Sequence, residues 1–118
     1  ARCAIPVQLR VHLPRRPSPA IEAIAYFSVA ELLTNVVKHA RASRAEVSVM
    51  PDSLRAIAVT VRDNGIGDAP RPGAETTGGS GLAGLAARAR AVDGSLTVQS
   101  PPGGPTVVTM LLPTAGPR

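Results

Sequence analysis

Ala56-Ile57-Ala58-Val59-Thr60-Val61-Arg62-Asp63-Asn64-Gly65-Ile66-Gly67 puts a carboxylate where the pattern calls for an apolar side chain. Alternate residues of an extended segment share a face, so Ile57, Val59 and Val61 line one side of a strand and Asp63 falls on that same side. Burying an unpartnered carboxylate there costs on the order of several kcal/mol, so a donor should be waiting. The exocyclic amine of adenine is one such donor. The alternative is a turn aspartate that caps Asn64-Gly65, because Asp-Asn-Gly is good turn chemistry. Gly65 and Gly67 permit close approach of a planar base or a positive φ.

Upstream, Ser18 before Pro19 reads as a helix start, with the hydroxyl as N-cap and proline at the first helical position. The helical stretch runs to about Ala40, with an interruption expected near its beginning. Tyr26, Val29, Leu33 and Val36 cluster on one side, while Glu31, Asn35 and Lys38 share about 60° of arc opposite. Asn35 offers an amide oxygen of the kind Mg²⁺ accepts, and one such ligand suffices because the metal keeps waters and phosphate oxygens. Glu31, one turn earlier, could orient a water or assist proton transfer. Lys38 and His39 could contact phosphates or complement the helix dipole. The competing reading is a solvated face on which Glu31 pairs with Asn35 or Lys38.

Downstream, Gly79-Ser80-Gly81-Leu82-Ala83-Gly84 matches GxGxxG. The dinucleotide version needs a strand immediately before it and an acidic residue about 20 positions later. Here a Pro/Gly loop precedes it and Asp93 comes too soon. No GK[ST] supports a P-loop either. What remains is a helix N-terminus opened by glycines, a natural phosphate site, or else a hinge before a core helix. Residues 67–81, rich in glycine and proline, form the candidate lid. Leu82, Leu85, Ala89 and Val92 mark the helix, closed by Gly94 as C-cap.

Val7, Leu9, Val11 and Leu13 alternate with polar residues as a strand with one buried face. Residues 45–50 and 56–63 read as two strands joined by a hairpin turn at Pro51-Asp52-Ser53, and residues 95–100 and 106–112 as a final pair. Strand, helix, two strands, loop, helix, two strands is not a doubly wound alternation. It predicts an α/β two-layer sandwich with a mixed, mostly antiparallel sheet and helices packed on one face.

The chain has 118 residues, which fits a single domain over residues 1–118 with a core of about residues 7–113. Aromatic residues make up only 2%, so Ala, Val, Leu and Ile must fill that core. Thirteen Lys and Arg against eight Asp and Glu give +5, but the bases are scattered, with no run longer than pairs such as Arg15-Arg16 and no interleaved aromatics. No nucleic-acid partner is expected. Cys3 is the sole cysteine and His12 and His39 the only histidines, so an internal disulfide is excluded, no zinc site is expected, and a reducing compartment fits. No run approaches the roughly 18 apolar residues of a membrane span, so no membrane contact by this domain is expected.

Taken together, these segments resemble the ATP-binding domain of bacterial sensor histidine kinases, in the superfamily shared with DNA gyrase, MutL and the large heat-shock chaperones. The likeness is to the branch paired with helix-turn-helix response regulators. Glu31-Leu32-Leu33-Thr34-Asn35-Val36-Val37-Lys38-His39-Ala40 resembles the family's N box, Asp63 to Gly67 its first glycine box, and Gly79 to Leu85 its second. The resemblance implies a Bergerat-type fold with ATP between the N-box helix and a lid. It implies that Asp63 takes the adenine amine with Thr106 nearby through water, that Asn35 holds Mg²⁺, and that Glu31 stands in the acid/base position. Lys38 and His39 would face the phosphates, Gly65 and Gly67 the base, and Gly79, Ser80, Gly81, Leu82 and Gly84 would shape the lid and its helix. Asp68 and Pro105 depart from the usual small residue and glycine, and neither removes a ligand. The implied activity is protein-histidine kinase: γ-phosphoryl transfer to a histidine on a separate dimerisation domain, then relay to a response regulator. That dimerisation domain and any sensor domain are expected outside this chain, which would then be a monomeric cytoplasmic domain of a parent free to be membrane-anchored. The alternatives are an anti-sigma-type serine kinase of the same fold and a non-catalytic nucleotide-sensing module.

Overall fold

In a computed structural model, which describes residues 5–39, 41–65 and 81–115, five strands form one sheet and two helices pack on one of its faces. The order along the chain is β1 (Val7–Val11), α1 (Pro19–His39), β2 (Ala45–Ser53), β3 (Ala56–Asp63), α2 (Gly81–Ala91), β4 (Ser95–Gln99) and β5 (Thr106–Pro113). Across the sheet it is β1-β2-β3-β5-β4, with β1 parallel to β2 and every other pairing antiparallel. The mixed, mostly antiparallel sandwich expected from the element order is what forms.

Register stacks the apolar alternation into rows. Val47 pairs with Val61, Val61 with Val108 and Val108 with Val98, and the next row is Val49, Val59, Met110 and Leu96. These rows face the helices, so Val59, Met110 and Leu112 are fully buried, whereas Glu46 and Arg62 lie exposed on the opposite face. Antiparallel strands tolerate one wet face, which is why the alternation reads so cleanly. β1 departs from its expected buried face: Leu9 and Val11 are 64% and 57% exposed. Helix α1 packs chiefly on β2 and β3 and α2 on β4 and β5, so among the described residues neither helix reaches far enough to bury Leu9 and Val11.

Ser18 caps α1 as its hydroxyl allows, accepting from Ile21 N–H at 3.3 Å, and the helix is continuous rather than interrupted. Its buried stripe runs through Ile21, Ser28, Leu32 and Val36, with Val29 and Leu33 half-buried beside it. Tyr26, expected on that stripe, is 79% exposed because it sits about 120° around the helix from Leu32. Contrary to the expectation that no apolar run is long enough, Pro19–Lys38 is long and apolar enough by composition to cross a membrane. Here its apolar stripe packs on the sheet instead. At the flank, the Arg88 guanidinium stacks over the Phe27 ring at 3.9 Å and joins α2 to α1.

Two turns differ from their expected form. The hairpin between β2 and β3 turns at Leu54-Arg55 rather than at Pro51-Asp52-Ser53, because the Ser53 hydroxyl accepts from Arg55 N–H at 3.1 Å and closes the loop there. Pro51 is tolerated in β2 because β1 pairs only as far as Val49. At the end of α2, Asp93 rather than Gly94 adopts the left-handed conformation, at φ 63°. Asp93 N–H donates to Arg90 O and Gly94 N–H to Ala89 O, the paired bonds of a Schellman cap. Glycine is needed at 94 for another reason: a Cβ there would collide with the carbonyl oxygen of Leu111 in β5.

Gly94→Ala is therefore expected to destabilise the fold by about 2 kcal/mol or more, read as a lowered urea midpoint at unchanged slope. In the other direction, the Ser28 hydroxyl is buried without a hydrogen-bond partner among the described residues. Ser28→Ala is expected to raise stability by about 1 kcal/mol in the same assay.

Candidate nucleotide site

Three element ends meet at one edge of the sandwich. Asp63, last residue of β3, pairs with Ala45, first of β2, and with Thr106, first of β5. Helix α1 starts at the opposite end, where Ser18 N–H donates to Thr114 O at 2.9 Å. Its 21 residues span about 31 Å and bring Asn35, Lys38 and the backbone of His39 to the Asp63 end. Helix α2 leaves through Gly94 into β4, whose Ser95 pairs with Leu111 far from Thr106, so its N-terminus at Gly81 points back toward Asp63. The side chain of His39, together with Gly67, Gly79, Ser80 and the candidate lid between them, lies outside the described residues.

Asp63 is only 4% exposed, as its place in the apolar row dictates. Gly65 N–H donates to its Oδ1 at 2.8 Å, so the turn-capping role foreseen as an alternative is present as well. Among the described residues the other oxygen, Oδ2, has no donor. Burial pushes the carboxyl pKa above its ordinary value, and the Gly65 N–H partly opposes that rise. Across the strand pair Thr106 is also buried, and its hydroxyl lies 2.6 Å from that of Ser100.

On α1, Glu31 and Asn35 are half-buried and Lys38 is exposed. Among the described residues none of the three makes a hydrogen bond or ion pair, so the reading of a self-paired surface face is not realised. Leu82 is buried, its side chain seating the first turn of α2 on the core. A Cβ added at Gly84 would meet nothing within 4 Å, so packing does not demand that glycine. Two participants were not singled out from the sequence. Ser100 reaches Thr106 from the end of β4. The Asn64 side chain accepts from the N–H groups of Ser43 and Arg44 at 2.9 and 3.0 Å and donates to the Ser43 hydroxyl at 2.7 Å. The only sequence signal for Asn64 was its turn chemistry, which pointed to neighbours rather than to partners some twenty residues away.

A buried acceptor at a sheet end, a helix C-terminus bearing amide and carboxylate groups, and a helix N-terminus opened by glycine define a nucleotide-binding α/β sandwich. Comparison with known proteins agrees. Residues 22–116 match the family described as histidine kinase-, DNA gyrase B- and HSP90-like ATPases. Sensor histidine kinase YdfH of Bacillus subtilis is 32% identical over 91 residues, covering 77% of this chain and 22% of that protein. Sensor histidine kinase YvfT of the same organism is 33% identical over 98 residues, covering 81% and 24%. The histidine kinase domain of the Erythrobacter litoralis EL346 blue-light activated histidine kinase superposes with a TM-score of 0.72 at 27% identity, over 96% of this chain and 56% of that one. The chain thus belongs to the family of histidine kinase-, DNA gyrase B- and HSP90-like ATPases. It spans under a quarter of the length of these two curated relatives.

The raised pKa of Asp63 has a stability consequence of definite sign. Ionising this carboxyl is harder in the folded chain than in the unfolded one. Stability is therefore greatest below the ordinary value of 3.8 and falls as pH rises through the higher folded value. Asp63→Asn lacks that penalty. It is expected to be more stable than the native chain at about pH 7, with the gap narrowing toward about pH 4 in paired urea titrations. A gap independent of pH would contradict the assignment.

Proposed function

We propose that this domain binds Mg-ATP at the Asp63 end of the sheet and transfers the γ-phosphoryl group to a histidine on a separate dimerisation domain, for relay to a response regulator. The observation that carries the reading is the buried Asp63 carboxylate, with one oxygen met by Gly65 and the other without a donor among the described residues. That second oxygen accepts the adenine amine. Guanine presents a carbonyl at the corresponding position, so acceptor would face acceptor and GTP is disfavoured. Thr106, steadied by Ser100, adds a hydroxyl beside the base edge, and Gly65 and Gly67 let the ring approach the backbone.

The phosphates extend from there toward the helix ends. Among the described residues no group of three or more His, Cys, Asp and Glu could hold a metal by itself. The unengaged amide of Asn35 would hold Mg²⁺, which when bound would supply neutralisation of phosphate charge. Lys38 and His39 face the phosphates from α1. On this reading Gly79, Ser80, Gly81, Leu82 and Gly84 serve the phosphates, whose charge the N-terminal dipole of α2 favours. Glu31 takes the proton-handling position one turn before Asn35. Catalysis on this reading is positioning and electrostatic stabilisation, with the incoming imidazole supplied by another domain of the parent. On this reading the domain works in the cytoplasm, whether its parent is soluble or membrane-anchored.

Calorimetric titration with ATP and GTP, with and without Mg²⁺, tests the site. Native chain is expected to prefer ATP and to need Mg²⁺. Asp63→Asn should weaken ATP binding roughly tenfold or more and erase the preference over GTP. Asn35→Ala should bind ATP with little remaining Mg²⁺ dependence, while unchanged metal dependence would remove Asn35 as a ligand. Label transfer from ATP to a supplied dimerisation hairpin then tests the kinase step. Bound ATP without transfer would favour the nucleotide-sensing alternative.

A further inference from the structure

We infer that Asn64 is the positioning residue that sets the distance between the base end and the phosphate end of the nucleotide site, an inference that rests on the ATP-binding reading above. Asn64 lies between Asp63 and Gly65, and none of its side-chain hydrogen bonds goes to a residue assigned to the nucleotide. Its side chain is instead committed to the connector between α1 and β2. Oδ1 accepts from Ser43 N–H at 2.9 Å and Arg44 N–H at 3.0 Å, and Nδ2 donates to Ser43 Oγ at 2.7 Å. The backbone adds Asn64 N–H to Arg44 O at 3.4 Å. Four directional bonds thus tie the residue after the adenine acceptor to the segment after the N-box helix.

These bonds matter for geometry more than for stability. Asn64, Ser43 and Arg44 are all exposed, so water competes for every donor and acceptor, and each bond is worth at most about 1 kcal/mol net. Apolar contacts hold α1 on the sheet, and they are non-directional, tolerating a small axial slide at little cost. A hydrogen-bonded clamp does not tolerate one. Arg41, three residues before Arg44, holds the left-handed φ of 52°, so the described part of the connector has little slack and fixing Ser43 and Arg44 restrains the end of α1. The last two turns carry Asn35 and Lys38, while the other side of the clamp carries Asp63. A ligand anchored at both ends reads an error in their separation directly, and a misplacement of about 1 Å can cost up to roughly a hundredfold where both contacts are required.

The test separates the base contact from its coupling to the phosphates. Affinities for adenosine and for Mg-ATP are measured on the native chain, Asn64→Ala and Asn64→Asp, with amide hydrogen exchange at Ser43 and Arg44 in the free proteins. Asn64→Ala is expected to bind adenosine within about twofold of native but to lose roughly tenfold or more of the advantage of ATP over adenosine. Its Ser43 and Arg44 amides should exchange faster. Asn64→Asp, whose carboxylate still accepts from both N–H groups, should restore most of that advantage and the slow exchange. The inference is overturned if Asn64→Ala lowers both affinities by the same factor, leaves their ratio unchanged, or leaves exchange at Ser43 and Arg44 unchanged. Failure of the native chain to bind either ligand would instead overturn the ATP-binding reading, and the exchange rates would still report whether the clamp exists.

Discussion

The Gly65 N–H that meets one oxygen of Asp63 leaves the other facing the end of a row from which Val59 and Val61 already exclude water. An isoleucine or valine at that position would extend the core and stabilise the sheet. A carboxylate does the opposite, and its raised pKa records the penalty. The sandwich tolerates it because the neighbouring members of the row are small or hydroxylic: Ala45 on one side and Thr106 on the other. The candidate acceptor thus sits where the apolar sheet runs out, carried by a strand end rather than by a loop.

The two helices bring opposite ends of their dipoles to that point. Helix α1 arrives with its C-terminal, partially negative end, and α2 begins there with its partially positive one. A magnesium nucleotide also carries both signs, the cation suiting the first and the phosphates the second. Each helix is fixed by something unrelated to charge. Ser18 and Thr114 hold the far end of α1, and the Schellman cap with Gly94 pressed against Leu111 holds the far end of α2. The contact of Arg88 over Phe27 joins the helices along their flanks.

Strand positions, the Ser18 cap, the two helices and the layer order were legible because each follows from local periodicity or from one residue's own chemistry. What was not legible depends on tertiary neighbours. Leu9 and Val11 alternate as correctly as Val59 and Val61, but periodicity reports which face is apolar and not whether a helix reaches that far. Tyr26 was counted as core because only the angular position relative to Ile21, Ser28 and Leu32 distinguishes it. Gly94 was read as a C-cap, a role that rests on dihedral freedom, when the requirement is the close approach of β5. In the site, Asp63 and the glycines stood out through burial parity and spacing. Asn64 did not, because its partners lie across a helix-to-strand connection that no local pattern announces.

Strand β1 has one neighbour, parallel pairing, and two apolar side chains left in solvent on its inner face. Its removal would break a single ladder and would leave untouched every contact between β2, β3, β5 and the helices. An edge strand held by one ladder is expected to open before the four-stranded block of β2, β3, β5 and β4 that carries Asp63. Sub-global opening of that strand would expose the edge of β2 to other chains while the ligand-holding half stays folded.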